Sequence, residues 1–321
     1  MRVYNPQSDK TLHKELVEVL RVIRTKRKFN PGKYLNKKSA LLNNYMNKYH
    51  LKSCIVAVSG GIDSAVVLGI SHQASRQKDS PIKKIYAILM PIFSKTATTN
   101  QKDALKRGQR VSKFFGASIA VVDLTESHKE IKRKVDTAIA LDGKPWASGQ
   151  LAAYIKTPAL YYTTSLLSEN SLPGIVCGTT NRDEGAYLGY FGKASDGMVD
   201  IQIISDIHKS EVFKLAEQLN IPRSIINVKP SGDMYDGRID EDVFGTTYDF
   251  VELYVSYLSF SKSQREKLLK SLNKKSKQQF GKLSKRLEKM HTYNLHKYLG
   301  KSPSIHLDVY QRAVPGGWDE S

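Results

Sequence analysis

Apolar residues recur at helical spacing from Leu12 to Ile23, where Leu16, Val19, Leu20 and Ile23 share one face. The pattern returns from Asn36 to Tyr49 through Leu41, Leu42 and Tyr45. Asn30-Pro31-Gly32 lies between them, a breaker cluster that predicts a loop separating two helices. The period then changes. Cys54-Ile55-Val56-Ala57-Val58 is a continuous apolar run, the mark of a strand buried on both faces. Ser59-Gly60-Gly61 predicts a turn, and Asp63 to Ser75 a helix. Further along, Lys84–Met90, Ser118–Val122 and Gly174–Cys177 read as strands. Thr98–Phe115, Thr125–Leu141, Gly149–Ser168 and His208–Leu219 read as helices.

Strands alternating with helices predict an α/β fold, a doubly wound parallel sheet flanked by helices. Helical appendages are expected at both ends. The expected division is 1–50 as N-terminal helices packing on the core, 51–300 as the main domain, and 301–321 as a tail. Within the main domain, 255–290 is a basic helical segment. Ligands of such sheets bind beyond the carboxyl ends of the strands. Three chemically suggestive segments fall there: Ser59–Ser64, Met90–Thr99 and Gly178–Glu184.

Composition narrows the partners. The 321 residues are 40% hydrophobic and 25% charged, the profile of a globular chain. No apolar run approaches the roughly 18 residues of a membrane span, and Met1 to Lys14 lacks a secretory core. The two cysteines, Cys54 and Cys177, are too few for a disulfide framework or a Cys-rich metal site, which makes a reducing cytoplasm the default. The formal charge of +19 favours anionic partners, with nucleic acid kept open on charge alone. Much of the excess lies in Ser261–Met290, where eleven Lys and Arg face two Glu, and that segment reads as an amphipathic helix with a solvated lysine face.

The segment Val58-Ser59-Gly60-Gly61-Ile62-Asp63-Ser64 follows a strand and opens a helix. Its glycines let backbone N–H groups approach phosphate oxygens, and the helix start adds positive potential. Ser59 and Ser64 bring hydroxyl donors. A carboxylate at Asp63 would repel phosphate, unless Mg²⁺ sits between them. No Gly-Lys-Ser/Thr follows and no third glycine completes a dinucleotide fingerprint, so neither of those motifs applies. The string resembles the pyrophosphate loop of the ATP-pyrophosphatase superfamily, whose members split ATP between the α and β phosphates and transfer AMP.

A second cluster narrows the resemblance. Gly178-Thr179-Thr180-Asn181-Arg182-Asp183-Glu184 continues into Leu188-Gly189-Tyr190-Phe191-Gly192-Lys193, then Asp196-Gly197 and Val199-Asp200. His208-Lys209-Ser210, Lys229-Pro230-Ser231-Gly232-Asp233, Asp240-Glu241-Asp242 and His296-Lys297 follow in order. This succession is similar to that of the NAD synthetase family and runs from about Asn30 to Tyr298. Where the family often has Arg-Thr-Arg or Arg-Thr-Pro, this chain has Lys156-Thr157-Pro158, keeping the charge without the bidentate fork.

The resemblance implies an adenine nucleotide α-hydrolase-like fold and an ammonia-dependent ligase. Deamido-NAD, ATP and ammonia would give NAD, AMP and pyrophosphate. It further implies that Ser59, Gly60, Gly61, Asp63, Ser64, Thr179, Lys209 and Ser231 bind ATP, with Asp63 and Lys209 catalytic. Asp63 and Glu184 would hold Mg²⁺. Lys156, Lys193, Asp200, His296 and Lys297 would contact deamido-NAD. A homodimer is implied, as is free ammonia or a separate glutaminase as nitrogen source, since only 58 residues precede Ser59. The competing assignment is a tRNA-modifying ATP pyrophosphatase of the lysidine synthetase kind, which shares the loop and suits the charge. The Gly178–Asp200 cluster and His296-Lys297 speak against it.

Overall fold

A computed structural model describes residues 12–93, 101–232, 237–298, 305–306 and 309–310. The expected helix start at Thr98, the end of Met90–Thr99, Asp233 and most of the 301–321 tail lie outside those residues.

Six parallel strands form one sheet in the order β3-β2-β1-β4-β5-β6. They are β1 (Ser53–Ala57), β2 (Lys84–Leu89), β3 (Ser118–Val121), β4 (Gly174–Gly178), β5 (Ile201–Gln202) and β6 (Ile305–His306). In the centre, Ile55 of β1 pairs with Tyr86 of β2 on one side and Val176 of β4 on the other. Strand order reverses at this β1–β4 boundary, which opens a crevice at the carboxyl ends of the two strands.

Helices α1 (Lys14–Arg27) and α2 (Pro31–Lys48) precede the sheet, and α3 (Ile62–Ser75) follows β1. Next come α4 (Gln101–Phe114), α5 (Thr125–Ile139), α6 (Pro145–Tyr154) and α7 (Lys156–Glu169). After the β4 region come α8 (Lys209–Gln218), α9 (Arg223–Ile226), α10 (Asp240–Phe244), α11 (Tyr248–Leu258), α12 (Lys262–Ser271) and α13 (Lys274–Asn294). Leu42 and Met46 of α2, Val66 and Ile70 of α3 and Leu215 of α8 fill the core on one sheet face. Leu160 and Leu167 of α7 cover Ile55, Ile88 and Val176 on the other. A second core joins Leu16 and Leu20 of α1 to Phe250 and Leu253 of α11 and Leu287 of α13.

Four details depart from the pattern reading. The second helix begins at Pro31, inside the cluster that separates it from the first, and not at Asn36: the Asn30 side chain accepts the Lys33 N–H at 2.9 Å, and Pro31 occupies the first turn, where its missing N–H costs nothing. The single helix expected over Gly149–Ser168 is two, α6 and α7. Pro158 has no N–H to give the Tyr154 carbonyl, and α6 ends at Tyr154. The Ser261–Met290 helix also divides. Leu272 turns extended and buries its side chain, and Asn273 caps α13 by accepting the Ser276 N–H at 2.9 Å. The fourth is α11, buried along most of its length and without a polar face. Its Asp249 and Glu252 each lie 2.6 Å from Arg24 of α1, which makes their burial tolerable.

Asp206, fully buried just before α8, gathers both ends of the chain. One carboxylate oxygen accepts Tyr34 Oη at 2.6 Å and Lys38 Nζ at 3.0 Å. The other accepts the backbone N–H groups of Val309 and Tyr310. Tyr310 stacks on Tyr34, and the Arg27 guanidinium lies 4.3 Å over its ring.

Candidate active site

The β1–α3 turn is built by local bonds. Gly60 sits at φ +82°, and a Cβ there would lie 2.3 Å from the Ala104 carbonyl oxygen of α4, so only glycine fits. Ser59 Oγ and Ser64 Oγ lie 3.2 Å apart, and Ser64 donates to the Gly61 carbonyl at 3.1 Å. Asp63 follows in the first turn of α3. Across the crevice, β4 runs into a single wide π turn at Glu184–Leu188, closed by Gly189 at φ +61°. Asn181 organises this turn: its Oδ1 accepts the N–H groups of Asp183 and Glu184, and its Nδ2 donates to Asp63 at 3.0 Å.

Lys209 joins the two sides. Its Nζ is 2.6 Å from Asp63 Oδ2 and 3.0 Å from Glu184 Oε1, and lies 4.9 Å from the centre of the Tyr248 ring. A lysine at the first position of a helix is opposed by the helix dipole, and burial opposes its charge further. Asp63, Glu184 and Asp240 outweigh both and hold the ammonium above its ordinary range. Burial pushes Glu184 up to about 7, with Asp63 and Asp240 adding to the rise against the pull of Lys209. Asp240 is raised as well, again by burial first. Tyr248 Oη stands 2.7 Å from Glu184 and 2.6 Å from Asp240. One hydroxyl hydrogen cannot fully serve two carboxylates, so a proton held on one of the raised carboxyls accounts for both short contacts.

Behind Lys209 lies a second buried pair. Asp183 accepts the Lys209 backbone N–H at 2.7 Å and faces His208 Nδ1 at 2.6 Å. Burial pushes Asp183 up to about 7 and His208 down to about 3.

Asp63, Glu184, Lys209 and Asp240 border one cleft of about 300 Å³, the lower end of the size range for small-molecule sites. Of the residues singled out from sequence, Ser59, Gly61, Asp63, Ser64, Lys156, Thr179, Glu184, Lys209 and Ser231 line it. Gly60 shapes the turn from behind. The remaining four lie elsewhere. Asp200 accepts the Val176 N–H at 2.7 Å and Tyr161 Oη at 3.2 Å. Lys297 Nζ donates to the carbonyls of Gly189 and Phe191 at 3.0 and 2.9 Å, and Lys193 Nζ to the His296 carbonyl at 3.4 Å. Lys193, His296 and Lys297 thus form one group beside the Gly189–Phe191 turn. Sequence reasoning gave no role to Asn181, Asp183, His208, Tyr190, Asp240 or Tyr248. The first five sat inside quoted motifs, whereas Tyr248 carried no signal beyond its apolar surroundings.

The donor set suits Mg²⁺ arriving with a nucleotide. Asp63 and Glu184 both reach the Lys209 ammonium, and Mg²⁺ takes one or two carboxylates with phosphate and water oxygens. Among the described residues no group of three or more His, Cys, Asp or Glu forms an all-protein metal cluster.

The glycine turn and the start of α3 with Asp63 stand on one side of the switch-point crevice, and Glu184 and the buried Lys209 on the other, the place where ligands of open α/β sheets bind. Comparison with known proteins narrows this. The model of the NAD synthase family matches residues 34–299, and the chain belongs to that family. It is 31% identical over 205 residues to the NH(3)-dependent NAD(+) synthetase of Methanococcoides burtonii, covering 63% of this chain and 70% of the relative. To the enzyme of the same name from Pyrococcus furiosus it is 30% identical over 219 residues, 68% of this chain and 77% of that one. The NMN synthetase of Francisella tularensis shares the fold at a TM-score of 0.67 and 22% identity, with 84% of this chain and 96% of that chain covered. The NH3-dependent NAD synthetase of Campylobacter jejuni does so at 0.60 with the same identity and coverage. Among the described residues no helix is long and apolar enough to cross a membrane.

Proposed function

We propose that the protein is an ammonia-dependent NAD synthetase that converts deamido-NAD, ATP and ammonia to NAD, AMP and pyrophosphate. A carboxylate is a poor electrophile, and adenylation gives it a leaving group. One oxygen of the pyridine carboxylate attacks the α-phosphorus, and the bond to the bridging oxygen breaks as pyrophosphate leaves. Ammonia then adds to the acyl carbonyl, AMP departs with the C–O electron pair, and the nitrogen loses a proton.

Ser59, Gly60, Gly61, Ser64 and the start of α3 cradle the phosphates, and Thr179 and Ser231 complete the nucleotide seat. Asp63 and Glu184 would hold Mg²⁺, which when bound would neutralise charge gathering on the departing pyrophosphate. Lys209 fixes both carboxylates and adds a desolvated positive charge beside them. No protein nucleophile is needed, because positioning and charge carry the step. Lys156 on the cleft wall, with Lys193, Asp200, His296 and Lys297 beyond it, would receive the dinucleotide.

The observation that carries this reading is the meeting of Asp63 and Glu184, from two different strand ends, on the single Lys209 ammonium. Purified protein given ATP, Mg²⁺, deamido-NAD and ammonium is expected to form NAD and AMP in equal amounts. Glutamine as sole nitrogen source is expected to give none, and tRNA is expected not to compete. Absence of AMP with deamido-NAD would overturn the assignment.

Two further parts of the reading concern assembly and setting. Helix α5 packs on α6, and α6 on α7. This run leaves Ile131, Val135, Ile139, Trp146, Tyr162 and Leu166 exposed. Large apolar side chains in such number mark an interface, and a second copy of the chain is the partner that the family reading supplies. The buried, unpaired Cys54 and Cys177 suit a reducing cytoplasm, with free ammonia or a separate glutaminase as nitrogen source.

A further inference from the structure

The acids of the cleft outnumber its buried cation. Asp63, Glu184 and Asp240 surround Lys209, whose Nζ already contacts two of them. A site that must hold a triphosphate, and then the pyrophosphate on which the broken P–O bond leaves its electron pair, calls for positive charge on the glycine-turn side as well. Lys156 and the exposed Lys229 also line the cleft, neither on the turn nor on α4. Arg107 of α4 is the guanidinium that lines the cleft next to the turn. Its Nε–H donates to the Gly60 carbonyl at 3.1 Å. Its Cβ lies 3.2 Å from where a Gly60 Cβ would stand, so turn and side chain are in direct contact. The bond to Gly60 uses one of five N–H donors and turns that carbonyl, which would repel phosphate, toward a cation.

We propose that Arg107 is a second phosphate-binding cation of this site: it anchors the Gly60 turn through Nε and receives the phosphates of ATP, and then pyrophosphate, with the rest of its guanidinium. This rests on the nucleotide reading given above. It adds a residue from α4, outside both sequence clusters, and makes the phosphate seat three-sided: the α3 start, Lys209 and Arg107. Arginine suits the place because its planar fork can bond the turn and a phosphate at once, which a lysine cannot do.

Two variants separate the roles. Arg107→Gln retains a side-chain N–H that can reach the Gly60 carbonyl but lacks the charge. Arg107→Lys retains the charge but not the fork. Binding of inorganic pyrophosphate and of AMP, each with Mg²⁺, is measured by calorimetry on the full chain. Arg107→Gln is expected to weaken pyrophosphate binding by about 10- to 100-fold, the scale of a lost charge-assisted bond, while AMP binding changes by less than about twofold. Arg107→Lys is expected to lose about 3- to 10-fold toward pyrophosphate on the same basis, and serves alone if the glutamine variant does not fold. Unchanged pyrophosphate affinity in whichever variant folds, or equal weakening toward AMP, would overturn the proposal and leave Arg107 as a prop for the turn. Because binding is read without turnover, a wrong assignment of the reaction shows separately, as wild-type protein that binds pyrophosphate through Arg107 yet makes no NAD.

Discussion

Asp183 bonds the backbone of Lys209, not its charge: the carboxylate takes the Lys209 amide N–H at 2.7 Å while the lysine side chain runs the other way, to Asp63 and Glu184. Residue 183 thereby ties the first turn of α8 to the loop that carries residue 184. The two acids and the ammonium keep their spacing because the loop and the helix start are one bonded unit.

Removing the ammonium and removing one of its partners should therefore differ. Lys209→Ala leaves Asp63 and Glu184 facing each other with no cation, and kcat/KM for ATP is expected to fall by about 10²- to 10³-fold, the usual cost of a lost electrostatic stabiliser. Raised Mg²⁺ should recover part of that loss, since the ion shields the same two acids. Asp63→Asn removes a metal seat, and Mg²⁺ should rescue nothing. Titrating Mg²⁺ in steady-state assays of both variants decides the matter, and identical responses would sink this account of the pair.

The His208–Asp183 pair sets an expectation for pH. In the fold burial holds His208 neutral, pushed down to about 3, and keeps a proton on Asp183, pushed up to about 7. In the unfolded chain at about pH 5 the histidine carries the proton and the carboxyl does not. Both states then bind the same number of protons between about pH 4 and 6.5, so the pair adds no slope to stability there. His208→Asn deletes the unfolded chain's site and leaves the folded one. The folded state then binds one proton more, and its advantage is full below about pH 4 and lost as pH rises toward 7, by up to about 1.4 kcal/mol per pH unit. Urea unfolding of both proteins across that window is the measurement, and parallel curves would count against the proton placement.

The uncovered apolar side chains of α5 to α7 carry a third expectation. Wild-type protein should sediment as a dimer, and Trp146→Asp with Tyr162→Asp should shift it to monomer while melting within a few degrees of wild type. A wild-type monomer at tens of micromolar would remove the interface.

The sheet and its phosphate turn were legible because their signals are local. Five apolar residues before Ser59-Gly60-Gly61 fix a strand, a turn and a helix start within a dozen positions. The acids of the second loop were legible as a string. What stayed hidden depends on distance in sequence. Asp240 and Tyr248 join the site only once α10 and α11 fold beneath the π turn. Arg107 becomes visible when α4 comes to rest against Gly60. The division at Leu272-Asn273 has neither proline nor glycine to announce it. It arises because Leu272 finds a buried seat and Asn273 bonds Glu15 of α1, more than 250 residues away. Lys193, His296 and Lys297 come together as a group, but their bonds in the fold go to carbonyls, and nothing local in the sequence foretold that.

Lys38 is fully buried against Asp206, and those partners are separated by more than half of the 321 residues. An unpaired ammonium in a dry interior costs several kcal/mol. While the protein is being made, α2 must therefore stay loosely docked or hydrated until residue 206 has left the ribosome. The N–H groups of Val309 and Tyr310, which bond the other oxygen of Asp206, come later still along the chain. Final locking of the first helices therefore waits on segments far along the chain, and the amino-terminal helices cannot finish folding by themselves.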